Sequence, residues 1–486
     1  MTTIAPPQAT RRKQVRITAL FIICLFALSL AGCAVGPNYR RPTVNAPATF
    51  GGQEGQAQQA SFADLPWWDV FKDDALKGLI REALTNNYDL RIAVARMEEA
   101  RAAAIQQRST LFPQINYQGE ASRGRNSFLG QPTAGTGKTV DSYLAAFNAT
   151  WEVDLWGRLR RLNEAATAQY LSSEEARRGV VLSLLSNVAQ SYFQLLELDE
   201  QLAIARRTSE SFAGSLRIFQ DQLAGGTASK LDTSSAQAAL ATANAAIPEL
   251  ERQIVLQENQ ISILLGRNPG PIPRGRTLLE QDMPPEIPVG LPSALLERRP
   301  DVREAEMNVR AANAQIGAAI GDFLPRIGLT TLYGGVSTEL SDITRPAGNF
   351  WSAAANLSGP VFQGGRIYGE YRQAKASWEE TKLQYEETAL NAFQEVSNAL
   401  ISRQKLVTVR EQQQLAVDAY REAVSVSRTR YLAGKASYLD VLQSQQELFP
   451  AENSLAQTEL NQLLQIVQLY IALGGGWKPL SPPGHP

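Results

Sequence analysis

Histidine and cysteine are almost missing from this 486-residue chain, which holds one histidine, His485, and two cysteines, Cys24 and Cys33. This argues against catalysis by a histidine base and against zinc held by histidine and cysteine, and leaves a carboxylate-only enzyme open. An excess of one charge is missing too. The 47 basic and 48 acidic residues leave a net charge of −1, without the concentrated basic surface that a nucleic-acid partner requires. Past residue 33 no apolar run approaches the roughly 18 residues of a membrane-spanning helix. Proline is absent from residues 158–222, where Gly179 and Gly214 are the only glycines, and from 366–432, where Gly369 stands alone. Nothing in either stretch interrupts a helix, so each is expected to form one, about 95–100 Å long at 1.5 Å per residue. A helix of that length belongs in a rod, a coiled coil or a tube. Alanine runs such as Ala102–Ala104 and Ala353–Ala355 suit helices that approach closely.

The N-terminus reads as an export address. Arg11, Arg12, Lys13 and Arg16 precede an apolar stretch, Ile17 to Leu30, that ends in Leu30-Ala31-Gly32-Cys33. The stretch is too short to span a bilayer as a mature helix, and it has the layout of a signal peptide. Small residues before a cysteine match a bacterial lipobox. Residues 1–32 are therefore expected to be removed, and Cys33 to carry a diacylglyceryl group and an N-acyl chain. Ala34 follows, where an aspartate would argue against outer-membrane delivery. With Cys24 removed and Cys33 acylated no intrachain disulfide can form, so stability must come from packing and association.

The rest of the chain is written twice. Leu111-Phe112-Pro113-Gln114-Ile115 resembles Phe323-Leu324-Pro325-Arg326-Ile327, Leu223-Ala224-Gly225 returns as Leu432-Ala433-Gly434, and Leu231-Asp232 as Leu439-Asp440. The offset stays near 208 to 212, which reads as duplication. Each half opens with a helix, about 73–111 and 293–324, stopped by Pro113 or Pro325. Strands with period-two alternation follow, near 114–122 and 143–152, and again near 326–337 and 350–362, around turn-rich tips at 124–139 and 338–349. A long helix comes next, then a turn at Gly225-Gly226 or Gly434, then a return helix, about 229–266 or 437–473, interrupted by Pro248 or Pro450. The expected divisions are an N-terminal segment 33–72, a first repeat 73–266 with its hairpin at 114–154, a linker 267–292, a second repeat 293–474 with its hairpin at 326–362, and a tail 475–486.

Strands of about 10–13 residues with one apolar face have the length to cross a bilayer at a tilt. Four strands cannot close a barrel, and open edges are not tolerated in lipid. Several chains would have to share one barrel; the competing reading is a small soluble sheet capping a coiled coil. At this point the chain resembles the TolC-like outer-membrane efflux factors, in the lipoprotein branch that includes the NodT-type proteins. The resemblance rests on the duplication and on three pieces: Cys33 followed by Gly36-Pro37-Asn38-Tyr39-Arg40-Arg41-Pro42, the Trp67-Trp68 pair, and Leu296-Glu297-Arg298-Arg299-Pro300-Asp301-Val302-Arg303. It implies a mostly α protein with membrane β structure: a homotrimer, with a shared 12-stranded outer-membrane barrel continued by a periplasmic helical tunnel. It also implies an equatorial belt built from the chain ends and the linker, a periplasmic adaptor and an RND-type inner-membrane pump as partners, and export of small molecules.

A passive duct needs a gate rather than a reaction centre. By the same resemblance Asp440 is the carboxylate of an acidic ring at the periplasmic aperture, where three copies would repel one another and attract cations. Gln443 stands where some members carry a second acidic residue, and Ala436 where some carry a locking arginine. Tyr431 keeps the aromatic lock position. Lys435, or apolar contact of Leu432 and Leu439, are candidates to hold the closed state, and Asp232 takes the related place in the first repeat. Gly225, Gly226 and Gly434 are the candidate adaptor-contact tips. The alternative for Asp440 is a surface aspartate at a helix start, favoured by the dipole. The Arg298–Asp301 run and Trp67-Trp68 read as structural. Type I protein secretion, a coiled-coil tether between outer membrane and cell wall, and a carboxylate hydrolase are the competing functions. The tether leaves the hairpins unexplained, and the hydrolase lacks any compact-domain signature.

Overall fold

In the computed structural model, residues 34–52, 61–135, 137–282 and 288–475 are described; Cys33 and His485 lie outside them. The elements, in chain order, are α1 (Asp74–Asn86), α2 (Tyr88–Ser109), β1 (Gln114–Arg125), β2 (Thr139–Val153), α3 (Arg158–Ala224), α4 (Lys230–Leu264), α5 (Pro292–Arg298), α6 (Pro300–Gly321), β3 (Arg326–Ser337), β4 (Asn349–Ser358), α7 (Arg366–Leu432) and α8 (Tyr438–Ala472). A four-residue helix at Trp67–Val70, short 3-10 turns and a two-residue ladder in the 126–138 loop complete the described elements. The chain divides into two compact units, one of residues 1–42, 98–172 and 305–384, the other of 43–97, 173–304 and 385–486.

The long and return helices form where proline and glycine spacing predicts them. α3 and α7 each run 67 residues, α4 and α8 each 35. Pro248 and Pro450 are accommodated inside continuous helices. Several boundaries differ from expectation, among them the start of β2, at Thr139 rather than near 143. The opening helix is two, because Asn87 breaks it: its side chain accepts the Leu90 amide and donates to the Leu264 carbonyl, diverting the chain. The second opening helix also divides, at Arg299, whose extended backbone precedes Pro300 at the start of α6, as the clash of a proline ring with a preceding helical residue requires. β4 ends at Ser358 rather than near 362, because Gly359-Pro360 withdraws a ladder donor.

Unit one holds an antiparallel sheet in the order β1-β2-β3-β4. Its register aligns Tyr117, Phe147, Tyr333 and Trp351 in one row across all four strands. These side chains are 84%, 62%, 60% and 77% exposed. Covering each would be worth roughly 1.5–3 kcal/mol, so this face is unsatisfied in a single chain. An N-terminal strap also belongs to this unit. Arg161 donates to the carbonyls of Val35 and Gly36 and to Asn38 Oδ1, Asn313 donates to the Pro37 carbonyl, and Tyr39 and Arg41 both reach Glu306. Glycine is obligatory here: a Cβ on Gly157 (φ +78) would sit 2.5 Å from Ala34 Cα, and one on Gly36 (φ +92) would sit 2.4 Å from Gly317 Cα.

Unit two packs the middle of α3 on its neighbours. Val188, Tyr192, Phe193, Leu195 and Leu196 are all buried. One 18-residue window of α3 has a mean hydropathy of 1.2, with 61% of it buried, as in a packed core helix. The 267–282 stretch is fastened by Asp73, the N-cap of α1. Its carboxylate accepts from the Ala75 and Leu76 amides, the Arg276 amide, Gln281 and the Tyr192 hydroxyl. Burial pushes the Asp73 carboxyl up; hydrogen bonds from Gln281, Arg276, Tyr192 and Leu76 more than offset it, leaving it below its ordinary value. Trp67 is buried against Trp68, ring centroids 5.5 Å apart. Arg299 is buried between Asp301, Glu395 and the Ala472 carbonyl. Both motifs thus pack and pair within the unit.

Candidate functional site

The turns that join α3 to α4 and α7 to α8 lie together in unit two. The first helix ends with Gly226 at φ +73 and the second with Gly434 at φ +68. A Cβ at either would meet open space, so the left-handed backbone demands glycine there. The Thr227 amide closes onto the Gln222 carbonyl at 2.8 Å, and the Lys435 amide onto the Arg430 carbonyl at 2.8 Å. Each return helix then starts on a reciprocal cap. In the first, Asp232 Oδ2 accepts the Ser229 amide at 3.1 Å while Ser229 Oγ accepts the Asp232 amide at 3.2 Å. In the second, Asp440 and Ser437 repeat this at 2.9 and 3.4 Å. A box of this kind is worth about 1 kcal/mol.

Between the turns lies an apolar cluster of Phe212, Phe219, Ala236, Ala243, Tyr438, Val441 and Leu442, with Tyr431 packed against it. The rings of Phe219 and Tyr438 are 3.8 Å apart between centroids, and Tyr431 lies 5.6 Å from Phe219 and 6.2 Å from Tyr438. Two polar contacts flank the cluster. Tyr431 Oη donates to Gln222 Oε1. Gln445 Nε2 donates to Ser211 Oγ at 2.8 Å and reaches Ser215 Oγ at 3.4 Å. Burial pushes the Tyr438 phenol up to about 12, helped by Tyr431 and the Asp232 charge. Burial also raises Tyr431; the bond to Gln222 works against that and the Asp232 charge adds to it.

The residues singled out from sequence are thus distributed unevenly. Tyr431 sits in the cluster, and Asp232 stands half-buried at its edge. Asp440 is exposed and holds the cap of α8, while Gln443 and Lys435 are exposed. Leu432 and Leu439, candidate closing contacts, are 62% and 68% exposed within the chain. Gly225 precedes the left-handed position, which Gly226 occupies. Sequence reasoning passed over Gln222, Phe219, Tyr438 and Gln445. The caps had a readable signal, serine three residues before aspartate at 229/232 and 437/440; the Gln222 contact had none, because its partner is 209 residues away.

The family described as outer membrane efflux protein matches residues 79–267 and 291–475. The solvent efflux pump outer membrane protein SrpC of Pseudomonas putida is 36% identical over 460 residues, covering 93% of this chain and 97% of that protein. The cation efflux system protein CusC of Escherichia coli O6:H1 is 33% identical over 455 residues, with the same coverage of 93% and 97%. The solved structure of the outer-membrane channel OprN superposes with a TM-score of 0.85 at 30% identity, over 92% of this chain and all of that one. On this evidence the chain belongs to the outer membrane efflux protein family, and it is an efflux channel of the bacterial outer membrane rather than an enzyme.

Proposed function

We propose that three copies of this chain share one 12-stranded barrel, continued into the periplasm by their long helices, and that Cys33 carries the diacylglyceryl and N-acyl anchor. The duct then conveys small molecules delivered by an RND-type inner-membrane pump through a periplasmic adaptor. The carrying observation is the sheet. Its four strands leave β1 and β4 with free edges, and one face, which bears the Tyr117–Trp351 row, has no formal charge from Ile115 to Ala121, Tyr143 to Val153, Ile327 to Ser337 or Asn349 to Leu357. Such a sheet is stable in lipid only when closed by sister subunits. The equal lengths of the paired helices support the reading of a duplicated chain. The strap supports the lipid anchor, because Ala34 packs on Gly157 at the junction of β2 and α3, where strand gives way to helix.

In this assembly the two turns form the periplasmic aperture. Asp440 presents a carboxylate there whose position is held by Ser437, and exposed Leu231, Leu432 and Leu439 offer apolar surface to a neighbouring subunit or an adaptor hairpin. Reconstitution into planar bilayers tests the duct: a stable ohmic current is expected, and a folded, β-rich preparation that passes none overturns it. Asp440→Asn should reduce preference for cations over anions. Unchanged selectivity would return Asp440 to a capping role alone, since an asparagine oxygen can still accept the Ser437 amide.

A further inference from the structure

On the apolar face of the sheet, formal charge begins abruptly at the end farthest from the helices. β1 follows α2 and β2 leads into α3, so the ladder pairs Arg123↔Asp141 and Arg125↔Thr139 lie at the distal end of this hairpin. The register is unbroken from Ile115 to Arg125, so Arg123 and Arg125 project from the same face as Tyr117, about 20 and 26 Å along the strand from it at 3.3 Å per residue. Arg123 is 75% exposed, and its Nε stands 3.6 Å from Asp141, too far for a hydrogen bond. Among the described residues Arg125 has no carboxylate partner, and exposed Lys138 immediately precedes its ladder partner Thr139. The duplicated hairpin is different. Gly335 and Ser337 stand at the places of Arg123 and Arg125, and in its 338–348 loop Arg345 is already paired with Asp342 at 2.9 Å, beside Glu339. A rim that merely needed solvating charge would carry it on both hairpins.

We propose that Arg123, Arg125 and Lys138 form a patch that binds the phosphate groups of an anionic lipid in the outer leaflet. The apolar strip beneath them takes up acyl chains, and the guanidinium groups, whose planar forks match phosphate oxygens, meet the headgroup where the strip ends. The inference rests on the barrel reading, which sets the distal end of the hairpin at the outer surface.

The test uses the full-length protein in nanodiscs, with bisphosphorylated lipid A as the probe and its dephosphorylated form as the control, bound lipid being counted by native mass spectrometry. The wild type should retain the phosphorylated form roughly tenfold better than the dephosphorylated one, and R123Q/R125Q/K138Q should lose that preference while still conducting. R123K/R125K, which keeps the charge, should retain most of it. Equal retention of the two lipids by the wild type overturns the proposal, whatever the variants do. So does a conducting triple variant with undiminished preference, or full displacement of the lipid by millimolar inorganic phosphate, which would mark a site for the free anion. A wild type that does not conduct removes the barrel reading, and the lipid site with it.

Discussion

The two helical turns are built on the same backbone and hold different things. Each ends in a left-handed glycine and restarts on a serine–aspartate cap, and the Gln222 and Arg430 carbonyls close the turns from corresponding places before their glycines, while Gln222 and Tyr431 bond across from one turn to the other. After the glycines the pattern diverges. Both turns put five residues between their helices, yet exposed Lys230 stands where the second turn has buried Tyr438. The local backbone is the same at both turns, whereas the packing that joins them comes from one side. Tyr438 fills the gap against Phe219, and the first turn supplies the surface that receives it.

Mutations can break this asymmetry in order of size. Tyr438→Ala should cost roughly 3–5 kcal/mol of local stability by emptying the cluster. Lys230→Ala, at the corresponding place, should stay within about 0.5 kcal/mol. Hydrogen exchange at residues 212–243 and 431–445 reads both, and comparable effects would show the turns to be equivalent. Gln445→Ala should follow at about 1–3 kcal/mol, since it leaves Ser211 without its 2.8 Å partner. Ser229→Ala and Ser437→Ala should each cost about 1 kcal/mol. Near equality of the two is the expected result, because the caps are the shared part. Tyr431→Phe should cost about 0.5–1.5 kcal/mol and show as faster exchange near Gln222.

Alkaline pH sharpens the comparison from another side. Tyr438 holds its proton in the fold to about 12, whereas a solvated tyrosine releases it near 10. Between those values the unfolded form binds fewer protons, so the stabilising contribution is whole below pH 10 and is lost as pH rises through about 12. Exchange around the turns should accelerate over that window, and Tyr438→Phe should abolish the dependence. Asp73 works in the opposite sense. Its lowered pKa gives stability that is present above the ordinary carboxylate range and is lost as pH falls through the folded value. Acid should therefore release the 267–282 stretch, and an Asp73→Asn variant whose exchange there matched the wild type at every pH would contradict this.

Much of the fold could be read in advance because proline and glycine punctuate it. The empty stretches at 158–222 and 366–432 became the two 67-residue helices, and the alternation from Gln114 and from Arg326 became strands that begin at those residues. The break at Asn87 was harder, because it depends on a side-chain bond to distant chain, at Leu264, whereas the break at Arg299 has its signal next door in Pro300. At the turns, Tyr431 was found through the family resemblance and Asp232 through its correspondence to Asp440. Gln222, Phe219 and Gln445 escaped because a residue's partner across a helical bundle leaves no mark on its own neighbours in sequence. The Gly36–Pro42 motif could be seen but not explained until Gly157, Arg161 and Gly317 were placed around it.

The strap has a mechanical corollary. A single peptide unit, about 3.8 Å between α-carbons, connects Cys33 to Ala34, and Ala34 is already pinned against Gly157. A lipid on Cys33 would consequently have no leash. It could not let the protein drift from the bilayer or wander around it, and would instead serve as a depth stop, fixing how far the strand-to-helix junction stands from the leaflet surface.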